Sequence, residues 1–202
     1  MKKSELLENI LEENNGILRL EDALLAGISK TYALDFIKKN NYEQVARGIY
    51  LSPDAWEDGM YILQMRYKGA VFSHETALYL LEMADREPIQ YTVTMKRGYN
   101  PANLTRQGVK VYTVKKEWYS LGMTQARTPM GHMVRIYDAE RTLCDVFRGN
   151  SQIEVQDRQN AIREYAAKGK KDIPRLMEYA KIFKVEKIIK NSKKTKCCAI
   201  IF

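Results

Sequence analysis

The segment from Ser4 to Ser52 constrains the fold most, because three helical patterns in a row are followed by a hairpin pattern. The first helix is predicted to begin after the cap Ser4, and its leucines and isoleucine recur at helical spacing until a turn-forming Asn-Asn-Gly. A second short helix is predicted over Glu21 to Ala26. A third is predicted over Lys30 to Asn40, with Ser29 as its cap. This segment therefore predicts a small helical unit.

Two extended runs, Tyr42 to Ala46 and Ile49 to Ser52, follow the third helix and are joined by Arg47 and a glycine. They predict a small hairpin with a cation at its tip. Three helices and such a hairpin predict a winged helix-turn-helix domain over residues 1–52, an arrangement that places its third helix in the DNA major groove. The candidate DNA-binding residues are Lys30, Thr31 and Tyr32 near the base edges, Lys38 and Lys39 near phosphates, and Arg47 in a flanking minor groove.

Asp35 opposes this interpretation, because it falls on the same exposed face of the third helix. Phosphate repels a carboxylate there unless the carboxylate accepts from a cytosine amine or pairs with Lys39. The alternative hypothesis is a protein-interaction adaptor, in which this face binds a partner protein and no operator is bound.

The net charge of +8 suits a polyanionic partner, but it is unevenly distributed. Residues 1–52 carry seven Lys and Arg against eight Asp and Glu, so the excess lies later in the chain. Either the second domain also contacts phosphates, or these cations form a solvated face. The candidate phosphate contacts are Lys96, Arg97, Lys110, Lys115 and Lys116.

The rest of the chain alternates strand and helix patterns, which predicts an α+β protein with a small sheet and several helices after the winged domain. Ser52-Pro53 predicts the start of a connecting helix over residues 53–69. Residues 70–190 form the predicted second domain, with Asp138 as the cap of one helix, and residues 191–202 form a predicted poorly ordered tail. Strands are predicted at 70–72, 89–95, 109–114 and 133–136, and helices at 73–81, 139–147, 153–168, 173–183 and 185–189.

No catalytic apparatus is visible in the sequence. It contains neither a phosphate-binding glycine loop nor a nucleophile elbow, and its two histidines have no ligand pattern around them. We therefore predict no enzyme activity, no metal and no cofactor. Three cysteines do not make a disulfide framework, and there is no signal peptide or membrane-spanning run, which predicts a reducing, cytoplasmic location without membrane attachment.

One polar cluster remains to be explained. The sequence allows an anion-binding or partner-binding face, or an ion-pair network that fixes a strand-to-helix corner with Glu140 and Arg141 as partners. A third hypothesis is a cryptic enzyme that acts on phosphate through the same residues. The cluster consists of Arg135, Asp138, Glu140, Arg141 and Asp145.

Residues 70–81 read AVFSHETALYLL, and residues 129–147 read PMGHMVRIYDAERTLCDVF. Together with the predicted winged helix, these segments resemble the AbiEi antitoxins of bacterial type IV toxin–antitoxin and abortive-infection systems. The resemblance runs from about residue 4 to residue 190, and the run from Asp138 to Asp145 is its most distinctive part.

The resemblance implies a function for each domain. The N-terminal domain would bind inverted repeats of double-stranded DNA in its own promoter and repress the operon. The C-terminal domain would counteract a cognate nucleotidyltransferase-like toxin, without forming a stable complex with it, and so contribute to phage resistance.

Overall fold

The computed structural model describes residues 2–149, 151 and 153–191. These residues form eleven helices and eight strands in two small sheets, so the predicted mixed α/β architecture is confirmed. They divide into an N-terminal unit of residues 2–68 with 127–133, and a C-terminal unit of residues 69–126 with 134–191. Residues 192–202 of the predicted tail lie outside the described residues.

The N-terminal unit contains four helices and a three-stranded antiparallel sheet with strand order β1-β3-β2. Leucine, isoleucine and alanine side chains of the first three helices and β1 share its core, as the helical spacing predicted. The elements are α1 (Lys3–Glu13), β1 (Ile17–Arg19), α2 (Leu20–Leu25), α3 (Lys30–Lys39), β2 (Glu43–Ala46), β3 (Ile49–Leu51) and α4 (Gly59–Arg66).

Two helix starts in this unit differ from the prediction. Helix α1 already includes Ser4, because Glu5 accepts a hydrogen bond from the backbone N–H of Lys2 at 2.8 Å and stabilises an earlier start. The predicted connecting helix is also shorter than expected. It begins at Gly59, where the buried Asp58 accepts from the backbone N–H of Tyr61 at 3.0 Å. Aspartate and serine are comparable caps, so the start of the helix is determined by which of them reaches a free backbone donor, and here that is Asp58.

The sequence also did not reveal β1. Ile17 and Leu18 pair with the end of the hairpin, in the register Ile17 to Leu51 and Leu18 to Tyr50. Three residues are too short for a periodicity signal, so only the pairing with β3 makes this segment a strand.

The C-terminal unit contains a five-stranded sheet with strand order β6-β5-β4-β8-β7. Strand β4 pairs antiparallel with β5 and parallel with β8, and β5 pairs parallel with β6. The strands are β4 (Val71–Phe72), β5 (Thr92–Lys96), β6 (Lys110–Val114), β7 (Met123–Arg127) and β8 (Met133–Tyr137). Four of these strands were predicted, whereas the polar β7 was not.

Seven helices complete this unit, and the three longest enclose a large apolar core with α5. The Asp138 cap is confirmed, since its carboxylate accepts from the backbone N–H of Arg141 at 2.8 Å. The helices are α5 (His74–Leu80), α6 (Ala102–Arg106), α7 (Lys116–Tyr119), α8 (Ala139–Phe147), α9 (Val155–Ala167), α10 (Ile173–Ile182) and α11 (Glu186–Asn191). Among the described residues, no helix is both long and apolar enough to cross a bilayer.

Candidate nucleic-acid interface

Helix α3 exposes a polar and cationic surface. Its apolar side is fixed by the buried Ala33 and Ile37, and its N-terminus is capped by Ser29, whose hydroxyl accepts from the backbone N–H of Tyr32 at 3.4 Å. Because the helix can rotate little about this buried side, the opposite side is held toward solvent. The exposed residues are Lys30, Thr31, Tyr32, Asp35, Lys38 and Lys39.

A further cation lies at the start of this helix. The ammonium group of Lys3 is 5.7 Å from the centroid of the Tyr32 ring, within cation–π range. Lys3 belongs to α1, so sequence spacing gave no reason to group it with α3. We add Lys3 to the candidate contacts for this reason.

The β2–β3 hairpin presents Arg47 to solvent, and Gly48 has a φ of +74° in the turn. The register shifts between Gln44 and Ala46, which is a bulge that places two residues against one. The guanidinium of Arg66 on α4 donates to the backbone carbonyl of Val45 in this bulge, with Nε at 2.9 Å. Arg66 thus positions the hairpin, a role that the sequence did not indicate.

Four of the five predicted phosphate contacts of the C-terminal unit lie at one end of the sheet. Lys96 pairs with Val114 at the carboxyl ends of the parallel strands β5 and β6, and the exposed Arg97, Lys115 and Lys116 follow directly. We call these four residues the basic patch. Two of its lysines lie over aromatic rings, Lys96 at 4.7 Å from Tyr119 and Lys115 at 5.0 Å from Trp118.

Lys110 does not join the basic patch. It pairs with Thr92 at the opposite end of the same two strands, four residues and about 13 Å away. Its ammonium group is half-buried and bonded to Glu75 at 3.1 Å. The parallel pairing of the two strands therefore separates Lys110 from the other four cations.

The polar cluster around α8 is largely buried. Arg141 is fully inaccessible, Asp145 is 1% exposed and Glu140 is 7% exposed, while Asp138 and Arg135 are half-buried. Nε of Arg141 donates to Asp145 at 2.9 Å. Buried side chains cannot form a contact face for a partner. The geometry of this cluster therefore favours the ion-pair network over the partner-binding face.

Arg141 also ties α7 and the turn that follows it to α8. One guanidinium nitrogen donates to the backbone carbonyls of Trp118 and Leu121, at 2.8 and 3.1 Å. The guanidinium lies between the rings of Tyr137 and Phe183, 4.4 and 4.1 Å from their centroids. Nε and one terminal nitrogen of this buried cation are therefore bonded, whereas Nη2 has no hydrogen-bond partner among the described residues. Loss of the side chain would leave one carboxylate and two backbone carbonyls without this donor.

The predicted pairing of Glu140 with Arg141 is wrong. Glu140 instead accepts from the hydroxyl of Tyr165 at 2.8 Å and from the backbone N–H of Asp172 at 3.2 Å. Neighbours in a helix point in different directions, so Glu140 faces α9 and α10 while Arg141 faces the sheet.

His74 is another buried polar residue of the C-terminal unit. It is 3% exposed, stacks on Tyr112 with ring centroids 3.7 Å apart, and contacts the hydroxyl of Ser73 at 3.0 Å through Nδ1. Its φ is +49°, a conformation that non-glycine residues rarely adopt. Burial lowers the pKa of His74 to about 4, so the ring is neutral at physiological pH.

A His74→Asn variant is expected to show a flatter pH dependence of the free energy of unfolding between pH 6.5 and 4. In this interval the unfolded wild-type chain takes up a proton on His74 that the folded chain does not, because burial lowers the pKa to about 4. The free energy of unfolding of the wild type therefore falls by up to about 3 kcal/mol as the pH falls, and this decrease ends below pH 4. Asparagine tolerates the positive φ and does not titrate.

Urea unfolding of both proteins at each pH measures this difference. The wild type alone is not informative, since burial also raises the pKa of Asp138 to about 6. That carboxyl contributes with the opposite sign, because the folded chain then binds the extra proton as pH falls through 6. Identical slopes in the two proteins would contradict a buried neutral imidazole.

The sequence and the fold were compared with known protein families, curated proteins and solved structures. Residues 5–53 match a family model described as "Transcriptional regulator, AbiEi antitoxin". The similarity to this antitoxin family covers the N-terminal quarter of the chain. The resemblance to this family, drawn from the sequence, is confirmed over these residues, which contain α3 and the β2–β3 hairpin.

The whole fold has a similar solved structure, described as the crystal structure of RV2827C protein from Mycobacterium tuberculosis. The match has a TM-score of 0.55 at 14% sequence identity and covers 88% of this chain and 70% of that one. At this identity the likeness concerns the fold alone. No curated protein matches the sequence.

Within the part of the chain that the structure describes, no three His, Cys, Asp or Glu side chains are grouped to hold a metal ion. The buried thiol of Cys144 contacts a backbone carbonyl, and burial raises its pKa well above the ordinary value, so it behaves as a small apolar side chain.

Proposed function

We propose that this protein is an antitoxin and a transcriptional autorepressor. In this proposal, residues 2–52 form a winged helix-turn-helix that binds inverted repeats in the promoter of its own operon. The observation that carries it is the surface of α3, whose polar and cationic residues are exposed while its apolar residues are buried. The family match over the same residues, to a transcriptional regulator, supports it.

The DNA contacts follow from this geometry. Thr31 and Tyr32, near the capped N-terminus of α3, would reach base edges, with Lys30 and Lys3 beside them. Phosphate contacts would come from Lys38 and Lys39 in the last turn of α3, and Arg47 would enter the flanking minor groove.

The C-terminal unit would counteract a nucleotidyltransferase-like toxin of a type IV abortive-infection system, in the cytoplasm and without a stable complex. The sequence resemblance over residues 70–190 supports this part. The burial of Arg141 and Asp145 directs the search for the antitoxin surface to other residues of this unit.

A protein-interaction adaptor is the second candidate. Leu24 and Leu25 on α2 are 51% and 82% exposed, and Asp35 lies on the exposed side of α3. An exposed apolar pair on α2 and an exposed carboxylate on α3 both suit a protein partner better than phosphate. An adaptor would show little duplex binding at any salt concentration, which separates the two candidates.

Thr31→Ala and Lys38→Ala are expected to weaken promoter binding in different ways. Lys38→Ala removes a phosphate contact, so it should weaken binding to all sequences alike and flatten the plot of log K against log salt by about one unit. Thr31→Ala removes a base-edge contact and should change sequence preference with the salt slope unchanged. Fluorescence anisotropy with promoter and scrambled duplexes measures both, and if neither affinity nor preference changes, this face of α3 is not the interface.

Replacing all four residues of the basic patch by alanine is expected to weaken duplex binding without altering sequence preference. Each lost phosphate contact should flatten the salt slope by about 0.9. Lys110→Ala is the matched control, because it removes one charge from the opposite end of the same strands. An unchanged salt slope in the fourfold variant would mean that the basic patch is only a solvated face.

A further inference from the structure

Residues 127–133 comprise the loop between β7 and β8 together with the last residue of β7 and the first of β8, and they belong to the N-terminal unit. Two of their side chains are buried there, Thr128 at 4% exposure and His132 at 7%. Both contact Asp58, the cap of α4. The hydroxyl of Thr128 donates to its carboxylate at 2.6 Å, and Nδ1 of His132 lies 2.8 Å from the same oxygen.

His132 bridges two segments that are far apart in the sequence. Its other ring nitrogen, Nε2, lies 3.0 Å from the backbone carbonyl oxygen of Asn14, just after α1. The two ring nitrogens thus face two acceptors, the carboxylate of Asp58 and the backbone carbonyl of Asn14. The ring also stacks on Tyr61, with centroids 4.4 Å apart. The loop is thus held by a directional and buried contact.

The carbonyl that His132 contacts also determines the turn into β1. The oxygen of Asn14 accepts from the backbone N–H of Ile17 at 2.9 Å, and the carbonyl of Gly16 accepts from Ser52, just after β3, at the same distance. Asn15 has a φ of +47° in this turn, and its side-chain amide donates to the carbonyl of Met130 at 2.8 Å. The loop therefore contacts the turn that sets β1 against β3.

We propose that residues 127–133 act as a strap on the DNA-binding unit. By holding the α1–β1 turn through His132, the strap orders the three-stranded sheet that carries the β2–β3 hairpin. The affinity for duplex DNA then depends on whether the strap is attached. The second part of this inference rests on the proposed function, whereas the ordering of the sheet does not.

The test compares the full chain with His132→Ala and Thr128→Val by hydrogen exchange and by promoter binding. Met130→Ala is the matched control, since its side chain is 46% exposed and the strap uses only its backbone carbonyl. Loss of a buried, charge-assisted hydrogen bond should speed exchange of the Ile17 and Ser52 amides by about tenfold in His132→Ala, and less in Thr128→Val. Duplex affinity should fall by about the same factor.

The amide of Lys110, bonded to the carbonyl of Tyr91, shows whether the C-terminal unit of each variant remains folded. The amide of Ala33, bonded to the carbonyl of Ser29 in α3, does the same for the N-terminal unit. If His132→Ala unfolds the N-terminal unit, Thr128→Val still tests the strap, because it removes one hydroxyl and leaves the ring of His132 in place. Unchanged exchange at Ile17 and Ser52 would overturn the strap. Faster exchange with unchanged affinity would overturn its effect on DNA. A wild type that binds no promoter duplex would instead refute the proposed function, and exchange alone would then judge the strap.

Discussion

Arg141→Met is expected to lower the free energy of unfolding by about 3–5 kcal/mol, the range for breaking one partner of a buried ion pair. The variant leaves Asp145 charged at 1% exposure and frees the carbonyls of Trp118 and Leu121 from their donor. Methionine keeps much of the volume between the rings of Tyr137 and Phe183, so the loss reports the missing charge and hydrogen bonds more than a cavity. Urea unfolding of the full chain, followed by circular dichroism, measures it.

Two further variants make this prediction specific. Arg163→Met removes an arginine whose side chain is 52% exposed, and it should cost less than about 0.5 kcal/mol. In Arg141→Met the carboxylate of Asp145 keeps only the partly exposed Arg148, 3.5 Å away, as an ion-pair partner. Adding Asp145→Leu removes this buried carboxylate and should recover part of the loss. A loss of less than 1 kcal/mol in Arg141→Met would mean that the ion pair does not hold the strand-to-helix corner.

The triple variant Lys30→Ala, Lys38→Ala and Arg47→Ala is expected to abolish repression of the promoter while protection from the toxin is retained. Loss of the phosphate contact of Lys38 should flatten the salt slope by about 0.9. Loss of Lys30 from the base edges and of Arg47 from the minor groove removes two further cationic contacts, so little specific binding should remain. All three residues are exposed, so folding should be unaffected. A promoter–reporter assay measures repression, and survival on induction of the neighbouring toxin gene measures protection.

Point variants are required here because the strap, residues 127–133, belongs to the N-terminal unit although it lies far from residues 2–68 in the sequence. A fragment that ends at residue 69 would lack the strap, and one that begins at residue 53 would keep it without its partner Asn14. Replacement of Lys170, Lys181 and Lys187, three exposed lysines of the C-terminal unit, by alanine is the charge-matched control. If the triple variant loses protection as well, neutralisation depends on DNA binding and the two domains do not act separately.

Local signals predicted most of the secondary structure correctly. Ser29 and Asp138 begin helices where the sequence placed them, because a cap acts within three residues of itself. Apolar spacing likewise gave the buried side of α3, since a helix fixes which residues share a side. The failures were elements without a local signal, such as the three-residue strand β1 and the polar strand β7.

The residues of the candidate site likewise fall into those that the sequence predicted and those that only the structure revealed. The sequence by itself determined the exposed cations of α3 and the hairpin, because both follow from helix period and turn chemistry. It could not determine that Lys3 lies beside Tyr32, that Arg66 holds the hairpin, or that Lys110 lies apart from the basic patch. Each of these depends on strand pairing or on packing between distant segments.

Burial was the other property that only the tertiary structure decided. Arg141 and Asp145 look like surface residues by type, yet the loops around α8 enclose them and supply the hydrogen bonds that make a buried charge tolerable. His132 is joined to Asn14 across 118 positions of sequence. Periodicity and capping signals depend on residues that are close in the sequence. The contacts of Arg141 and His132 arise between segments that meet only when the chain folds.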